Sequence, residues 1–272
     1  MPELPEVETI RRDLLPRIVG RTIASAFVSP NAPRLVQLMP PAEFCKQLPG
    51  HRIEDISRRG KYLILHLSGG LHWIVHLRMT GRFLHRKDEC PDDSYLRASF
   101  ALDDGSSLCF NDLRKFGTMW LIDDPSLVVG KLGPEPLSDD FTVAGLREVL
   151  VRRSAPVKAV LLDQHAVAGI GNIYADEALF NAGINPRKAA NKVSKPKTEA
   201  LHSGVRQALL DALGDRGSSF SDYVDGSGRS GSHQLKVKVF RRTDQPCYTC
   251  GTQIRRVKVA GRSTHFCPNC QR

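Results

Sequence analysis

At 272 residues, 41% hydrophobic and 25% charged, the chain is long enough to bury a real core and to divide into more than one domain. It contains no run of eighteen apolar residues and starts with an acidic stretch, which argues against a helical membrane span or a secretory signal and makes the cytoplasm the expected location. A formal net charge of +10 points to a polyanionic partner, nucleic acid first, and residues 216–272 concentrate it, with eleven Lys or Arg against Asp222, Asp225 and Asp244.

The chain opens MPELPEVE. A methionine before a small residue is normally trimmed, which would leave Pro2 with a free secondary amine, a potential nucleophile. At a reference α-amino pKa of about 7.7 to 8.0, roughly a tenth of it would be neutral at pH 7. Glu3, Glu6 and Glu8 stand beside it; from these residues alone, a proline-started, acid-first helix is the commoner meaning. Apolar positions at Val7, Ile10, Leu14 and Ile18 carry a helical period that Gly20 stops.

Short β-type runs follow at 22–29, 62–67, 71–77, 96–102, 107–111 and 118–122, separated by turn signals such as Ser68-Gly69-Gly70 and Asp103-Asp104-Gly105. Close spacing and tight turns suggest an antiparallel sandwich. LGPEPLSDD, 132–140, reads as a linker, after which helices are expected at 142–152, 156–164, 172–182 and 195–213. Two glycines precede Asn172, a helix start that could receive a phosphate or simply pack closely. Residues 214–234, rich in Gly, Ser and Asp, read as a long mobile loop, a lid or a hinge.

Cys247-x-x-Cys250 and Cys267-x-x-Cys270 have the spacing of four thiolate ligands around one structural Zn²⁺ with no open coordination position. Between the pairs, two strand-like runs flank Ala260-Gly261, so a β-hairpin is expected with Arg262 near its tip; His265 reads as non-coordinating. Cys45, Cys90 and Cys109 are most simply reduced, partly buried thiols.

These stretches together resemble the bacterial formamidopyrimidine-DNA glycosylases over essentially the whole length. The matching motifs are MPELPEVE, SRRGKYL (57–63), HLRMTGRF (76–83), NDLRKFG (111–117), LGPEPLS (132–138), VAGIGNIYADEALF (167–180) and the closing GRSTHFCPNCQ. The resemblance implies an α+β multidomain protein: an N-terminal helix plus antiparallel β-sandwich over 1–131, a helix-two-turn-helix domain with a lesion-capping loop over 132–235, and a zinc-finger β-hairpin module over 236–272. It further implies a base-excision repair enzyme on damaged double-stranded DNA, a glycosylase and abasic-site lyase for oxidised purines; a monomer is the default expectation.

By the same resemblance Pro2 is the nucleophile, Glu3 moves the proton to the opening sugar, Glu6 supports the site and Lys61 clamps a phosphate, while Glu8 is left solvated. Met79, Arg114 and Phe116 resemble the residues that fill the hole left by a flipped nucleotide; periodicity alone would place Met79 and Phe116 in the core. His76, Asn172, Tyr174 and Arg262 match phosphate-contacting positions, and Lys158 matches a lysine near the flipped nucleotide. The chain departs from the family pattern at Gly231-Ser232-His233-Gln234, at Val239-Phe240-Arg241-Arg242, and at Ser219-Phe220-Ser221-Asp222-Tyr223, which lacks the usual arginine. These departures bear on lesion preference, not on the nucleophile.

Overall fold

The computed structural model describes residues 1–272 and divides into two compact units, Met1–Gly130 with Asp215–Gln234, and Lys131–Gly214 with Leu235–Arg272. The first unit begins with α1 (Leu4–Ile18), whose Val7, Ile10, Leu14 and Ile18 are at most 1% exposed, the stripe that the period predicts. Glu6 starts the helix by accepting the Glu3 N–H at 2.8 Å, half of a capping box.

Behind α1 lies an antiparallel sandwich. One sheet has the order β1-β6-β7-β5, from Ile23–Val28, Leu96–Leu102, Ser107–Asp112 and Gly81–Arg86. The other runs β2-β3-β4-β8, from Ile53–Arg59, Tyr62–Leu67, His72–His76 and Thr118–Ile122. Trp73 is fully buried among Phe44, Phe83 and Phe100, with ring centroids at 6.2, 5.5 and 4.3 Å, edge-on or tilted as aromatic quadrupoles prefer. Each of these rings contributes about 1.5–3 kcal/mol of burial, and the α1 stripe shares the same core, so helix and sandwich form one cooperative body.

Four elements of this unit go beyond the sequence reading: α2 (Pro41–Gln47), β2, β5 and the one-turn α3 (Ser126–Val129) after the sandwich. Strand β2, IEDISRR, buries Ile53 and Ile56 and shows charge to solvent elsewhere, so its apolar signal is thin. Cys90 and Cys109 are joined in a disulfide, which corrects the expectation of free thiols: the segment between β5 and β6 folds back on β7 and brings the two together. Asp215–Gln234, the segment expected as a long loop, packs with the first unit, for reasons that emerge below.

The second unit holds α4 (Val143–Val151), α5 (Val157–Leu162), α6 (Asn172–Asn181), α7 (Lys195–Gly214) and the hairpin β9 (Arg255–Val259) and β10 (Arg262–Phe266). Helix α6 is buried from Ile173 to Leu179 on every face. It crosses α7 so closely that a Cβ on Gly204 would come within 2.8 Å of the Ala178 carbonyl, which explains a glycine in mid-helix. The hairpin turns at Ala260 and Gly261, φ +46 and +76°, the left-handed pair of a tight two-residue turn.

Candidate active site and metal centre

At the N-terminus, Met1 is 48% exposed while Pro2 is buried and Glu3 and Glu6 are at most 2% exposed. The Glu6 carboxylate is a bridge: Oε2 accepts from the Glu3 N–H and Oε1 from the Ser218 N–H, both at 2.8 Å. Tyr223, whose hydroxyl donates to the Arg216 carbonyl at 3.1 Å, closes the same wall, and burial followed by the Glu6 charge pushes its phenol well above the usual range. Two buried acids and the start of α1 are therefore held together in one wall, with Glu6 bound from both sides.

Glu8 corrects an expectation. It is 8% exposed rather than solvated, and it receives Arg11 Nη2 at 2.9 Å, Arg12 Nε at 2.8 Å and Arg58 Nε at 3.1 Å. Burial by itself would raise its carboxyl, but the hydrogen bonds of Arg11 and Arg12, with the charges of Arg11 and Arg58, outweigh that and hold it at about 2.

Lys61 sits on the two-residue turn between β2 and β3 and is 6% exposed. His76 ends β4, 7% exposed, with the Tyr62 ring 4.4 Å away. Desolvation first, and then the positive charges of Arg78 and Lys61, bring its pKa down to about 3. The Arg78 N–H donates to His76 Nδ1 at 3.1 Å, so the neutral ring carries its proton on Nε2 and can donate there without gaining charge.

Met79 and Phe116 are 39% and 48% exposed, which rules out the core-packing alternative. They are gathered by Arg114, whose Nη1 lies 3.1 Å from Met79 Sδ and whose guanidinium stands 4.7 Å over the Phe116 ring. The loop carrying two of them is organised by Asp112, a residue the sequence reading did not single out. Asp112 is 1% exposed, and its carboxylate accepts from Thr80 Oγ1 at 2.5 Å, Gly117 N at 2.7 Å and Arg114 N at 3.2 Å. Its place before a glycine-ended turn with Lys115 at φ +58° was the available sequence signal. A cavity of about 230 Å³ opens beside this loop, lined in part by Arg82, Tyr95, Asn111, Leu113 and Asp222.

In the second unit, Lys158 is placed differently from the expectation that it reaches a nucleotide. It is 0% exposed, paired with Asp176 at 2.8 Å and donating to the Ser263 carbonyl at 3.0 Å and Thr264 Oγ1 at 2.9 Å. An ammonium so engaged is a strut between α6 and β10, because the carboxylate beside it compensates its burial. Asn172 Nδ2 donates to the same Ser263 carbonyl at 2.9 Å, and Asp176 Oδ2 takes the His265 N–H at 2.9 Å. Tyr174 is 1% exposed and belongs to the helical core, whereas Arg262 stands exposed at the hairpin turn. The next residue, Glu177, accepts the N–H groups of Lys238, Val239 and Phe240 at 2.8, 3.0 and 2.9 Å; burial nevertheless pushes its carboxyl up.

The sulfurs of Cys247, Cys250, Cys267 and Cys270 all lie within 4.8 Å of one another, with Cys247–Cys270 at 3.9 Å and Cys250–Cys267 at 3.5 Å. A tetrahedron with Zn–S bonds of about 2.3 Å has edges of about 3.8 Å, so the four thiols fit one zinc ion. His265 turns to Asp176 and not to the sulfurs.

Three family models match the chain: the formamidopyrimidine-DNA glycosylase N-terminal domain over residues 1–119, its H2TH domain over 132–223, and a zinc finger found in FPG and IleRS over 244–272. The formamidopyrimidine-DNA glycosylase of Heliobacterium modesticaldum is 46% identical, with all of both chains covered, and that of Bacillus subtilis 42% identical, with 100% and 99% covered. Among solved structures, a mutant Lactococcus lactis FPG in complex with a Fapy-dG containing DNA has a TM-score of 0.92 at 39% identity, covering all of both chains. The Thermus thermophilus FPG has a TM-score of 0.89 at 38% identity, covering 99% of this chain and 98% of the other.

Proposed function

Because the chain belongs to the formamidopyrimidine-DNA glycosylase family, we propose that it excises oxidised purines, 8-oxoguanine and formamidopyrimidines, from duplex DNA and then cleaves the strand through a Pro2-linked intermediate. The first step takes the damaged nucleotide out of the stack, at a cost of a few kcal/mol. Met79 and Phe116 act as wedges in the vacated space, and Arg114 hydrogen-bonds the orphaned partner base.

Once Met1 is removed, the neutral Pro2 nitrogen attacks C1′ of the sugar, the bond from C1′ to the base breaks with its electron pair leaving on the base, and the proton released from the Pro2 nitrogen neutralises the departing base. Glu3 delivers a proton to the ring oxygen as the sugar opens, giving an iminium between Pro2 and C1′. A secondary amine cannot shed this positive charge by losing a proton from nitrogen, so the iminium acts as an electron sink. Loss of a proton from C2′ then expels the 3′ phosphate, and a second elimination expels the 5′ phosphate, leaving a gap flanked by phosphates. Glu6 orients the start of α1 through Glu3, and Lys61 with the neutral His76 donates to a backbone phosphate. Asn172 and Arg262 serve the same purpose from the second unit. Zinc, held by the four cysteines, supplies a rigid hairpin and takes no part in the reaction.

The observation that carries this reading is the Met79, Arg114 and Phe116 cluster, two large apolar side chains kept half in solvent around one guanidinium. A cytoplasmic monomer is the simplest setting; no helix is long and apolar enough to cross a membrane. Borohydride added during reaction with an 8-oxoguanine or formamidopyrimidine duplex should trap a covalent adduct in correctly processed protein. It should be sharply reduced in Pro2→Gly, whose primary amine can form only an imine that loses its charge with its proton, and reduced in Glu3→Gln. No adduct with the processed wild type overturns the proposal.

A further inference from the structure

Asp215–Gln234 has little regular structure, yet it is fastened to the first unit along two elements. On the β5 side, Arg82 Nε donates to the Asp222 carbonyl at 2.7 Å and the His85 N–H to the Gly226 carbonyl at 3.0 Å. On the α1 side the attachment is ionic. Arg216 Nη2 reaches both oxygens of Asp13, at 2.6 and 2.8 Å, and Asp225 Oδ2 at 2.5 Å, while its Nε meets Asp225 Oδ2 at 3.2 Å. Asp13 also takes the Gly226 N–H at 3.2 Å, and Asp225 takes those of Ser227 and Arg229, both at 2.9 Å.

The side chains of Asp225 and Asp13 are only 1% and 10% exposed against 42% for Arg216, so the guanidinium is the partly wet partner of two carboxylates that are not. Such a pair cannot be dismissed as a surface ion pair: without Arg216, two largely buried anions lose their shared cation. Arg216 also adopts φ +60°, a left-handed conformation that non-glycine residues avoid, and the φ +83° Gly217 after it lies so close to Glu6 that a Cβ would come within 2.9 Å of Oε1. Contacts elsewhere therefore maintain a strained turn whose next residue, Ser218, donates to Glu6.

We propose that Arg216 is a positioning residue for base recognition: bridging Asp13 and Asp225, it fixes the turn 216–218 against Glu6 and so sets the edge that a flipped base meets. The bridge weighs most on the base-removing step. If the Ser218 bond to Glu6 Oε1 loosens, the Glu3 N–H still holds Oε2, so elimination at a site that has already lost its base suffers less than excision, which needs the base seated. The inference rests on the glycosylase reading above.

The test compares Arg216→Ala, Arg216→Lys and Asp13→Asn with the processed wild type. Amide hydrogen exchange across 216–223 should speed about tenfold in Arg216→Ala and Asp13→Asn, the response to losing one or two kcal/mol of local stability, and less in Arg216→Lys. On a formamidopyrimidine duplex kcat/KM should fall about tenfold, while cleavage of a preformed abasic-site duplex changes less than twofold. Unchanged exchange, or equal losses on both duplexes in all three variants, overturns the proposal. If the wild type itself neither excises nor traps, the glycosylase reading fails instead, and the exchange comparison still decides whether Arg216 holds the segment.

Discussion

Replacing Glu8 by glutamine tests how the helix carrying the N-terminal site is anchored. Unfolded, this carboxyl titrates at its ordinary 4.5; folded, among Arg11, Arg12 and Arg58, it titrates at about 2. A depressed acid contributes stability that is fully present above the unfolded value and is lost as pH falls through the folded one, here between pH 5 and 2. At 1.36 kcal/mol per pKa unit the gap amounts to about 3 kcal/mol, and because Arg12 is 58% exposed the realised figure is nearer about 2 kcal/mol. Both tryptophans, Trp73 and Trp120, belong to the first unit, so their fluorescence reports its unfolding alone. Urea titrations at pH 7 should give a lower midpoint for Glu8→Gln at unchanged slope, and the two proteins should converge as the pH is lowered from 5 to 3. Curves that remain parallel across that range would show that Glu8 is not the titrating anchor inferred from its contacts.

His76, with a pKa near 3 against 6.5 unfolded, should cost stability as pH falls below 6.5, since only the unfolded chain takes up the proton; His76→Gln should flatten that part of the profile. In Asp112→Ala the Gly117 N–H and the Thr80 hydroxyl lose their acceptor and the Arg114 N–H keeps only Thr80 Oγ1, for a loss of about 1–3 kcal/mol by urea titration and weakened discrimination of the base opposite the lesion in cleavage assays. Chelating zinc should abolish duplex binding by anisotropy while leaving the tryptophan signal of the first unit unmoved, because structural zinc is worth on the order of 10 kcal/mol to a small module. Full binding after chelation would refute a role for the hairpin in holding DNA.

What could be read from the sequence is what repeats locally. The stripe Val7, Ile10, Leu14 and Ile18, the Cys-x-x-Cys pairs and the Ala260-Gly261 turn all declare themselves within a few residues, and the structure has them where their spacing puts them. Strand β2 escaped because charged residues dilute its two buried isoleucines. The Asp13–Arg216 pair joins positions 203 apart, and neither residue has a local pattern to mark it. The burial of Lys158 was hidden for a related reason: its partners on β10 lie more than a hundred positions away, and nothing local marks it as a strut. The Cys90–Cys109 bond depends in the same way on how a connection folds back on a strand.

Adjacent carboxylates on α6 carry a consequence for anyone cutting or swapping modules. Asp176 faces Lys158 and the backbone of His265, and Glu177 caps the N–H groups of 238–240, so the helix holds the main chain ahead of each of the two cysteine pairs. Deleting or transplanting the last forty residues at a loop boundary would strand two buried acids and a buried ammonium in the remaining half. The transplantable unit is therefore larger than the metal-binding motif: a graft must carry α6 and Lys158 with it, or replace all three with apolar residues of similar volume.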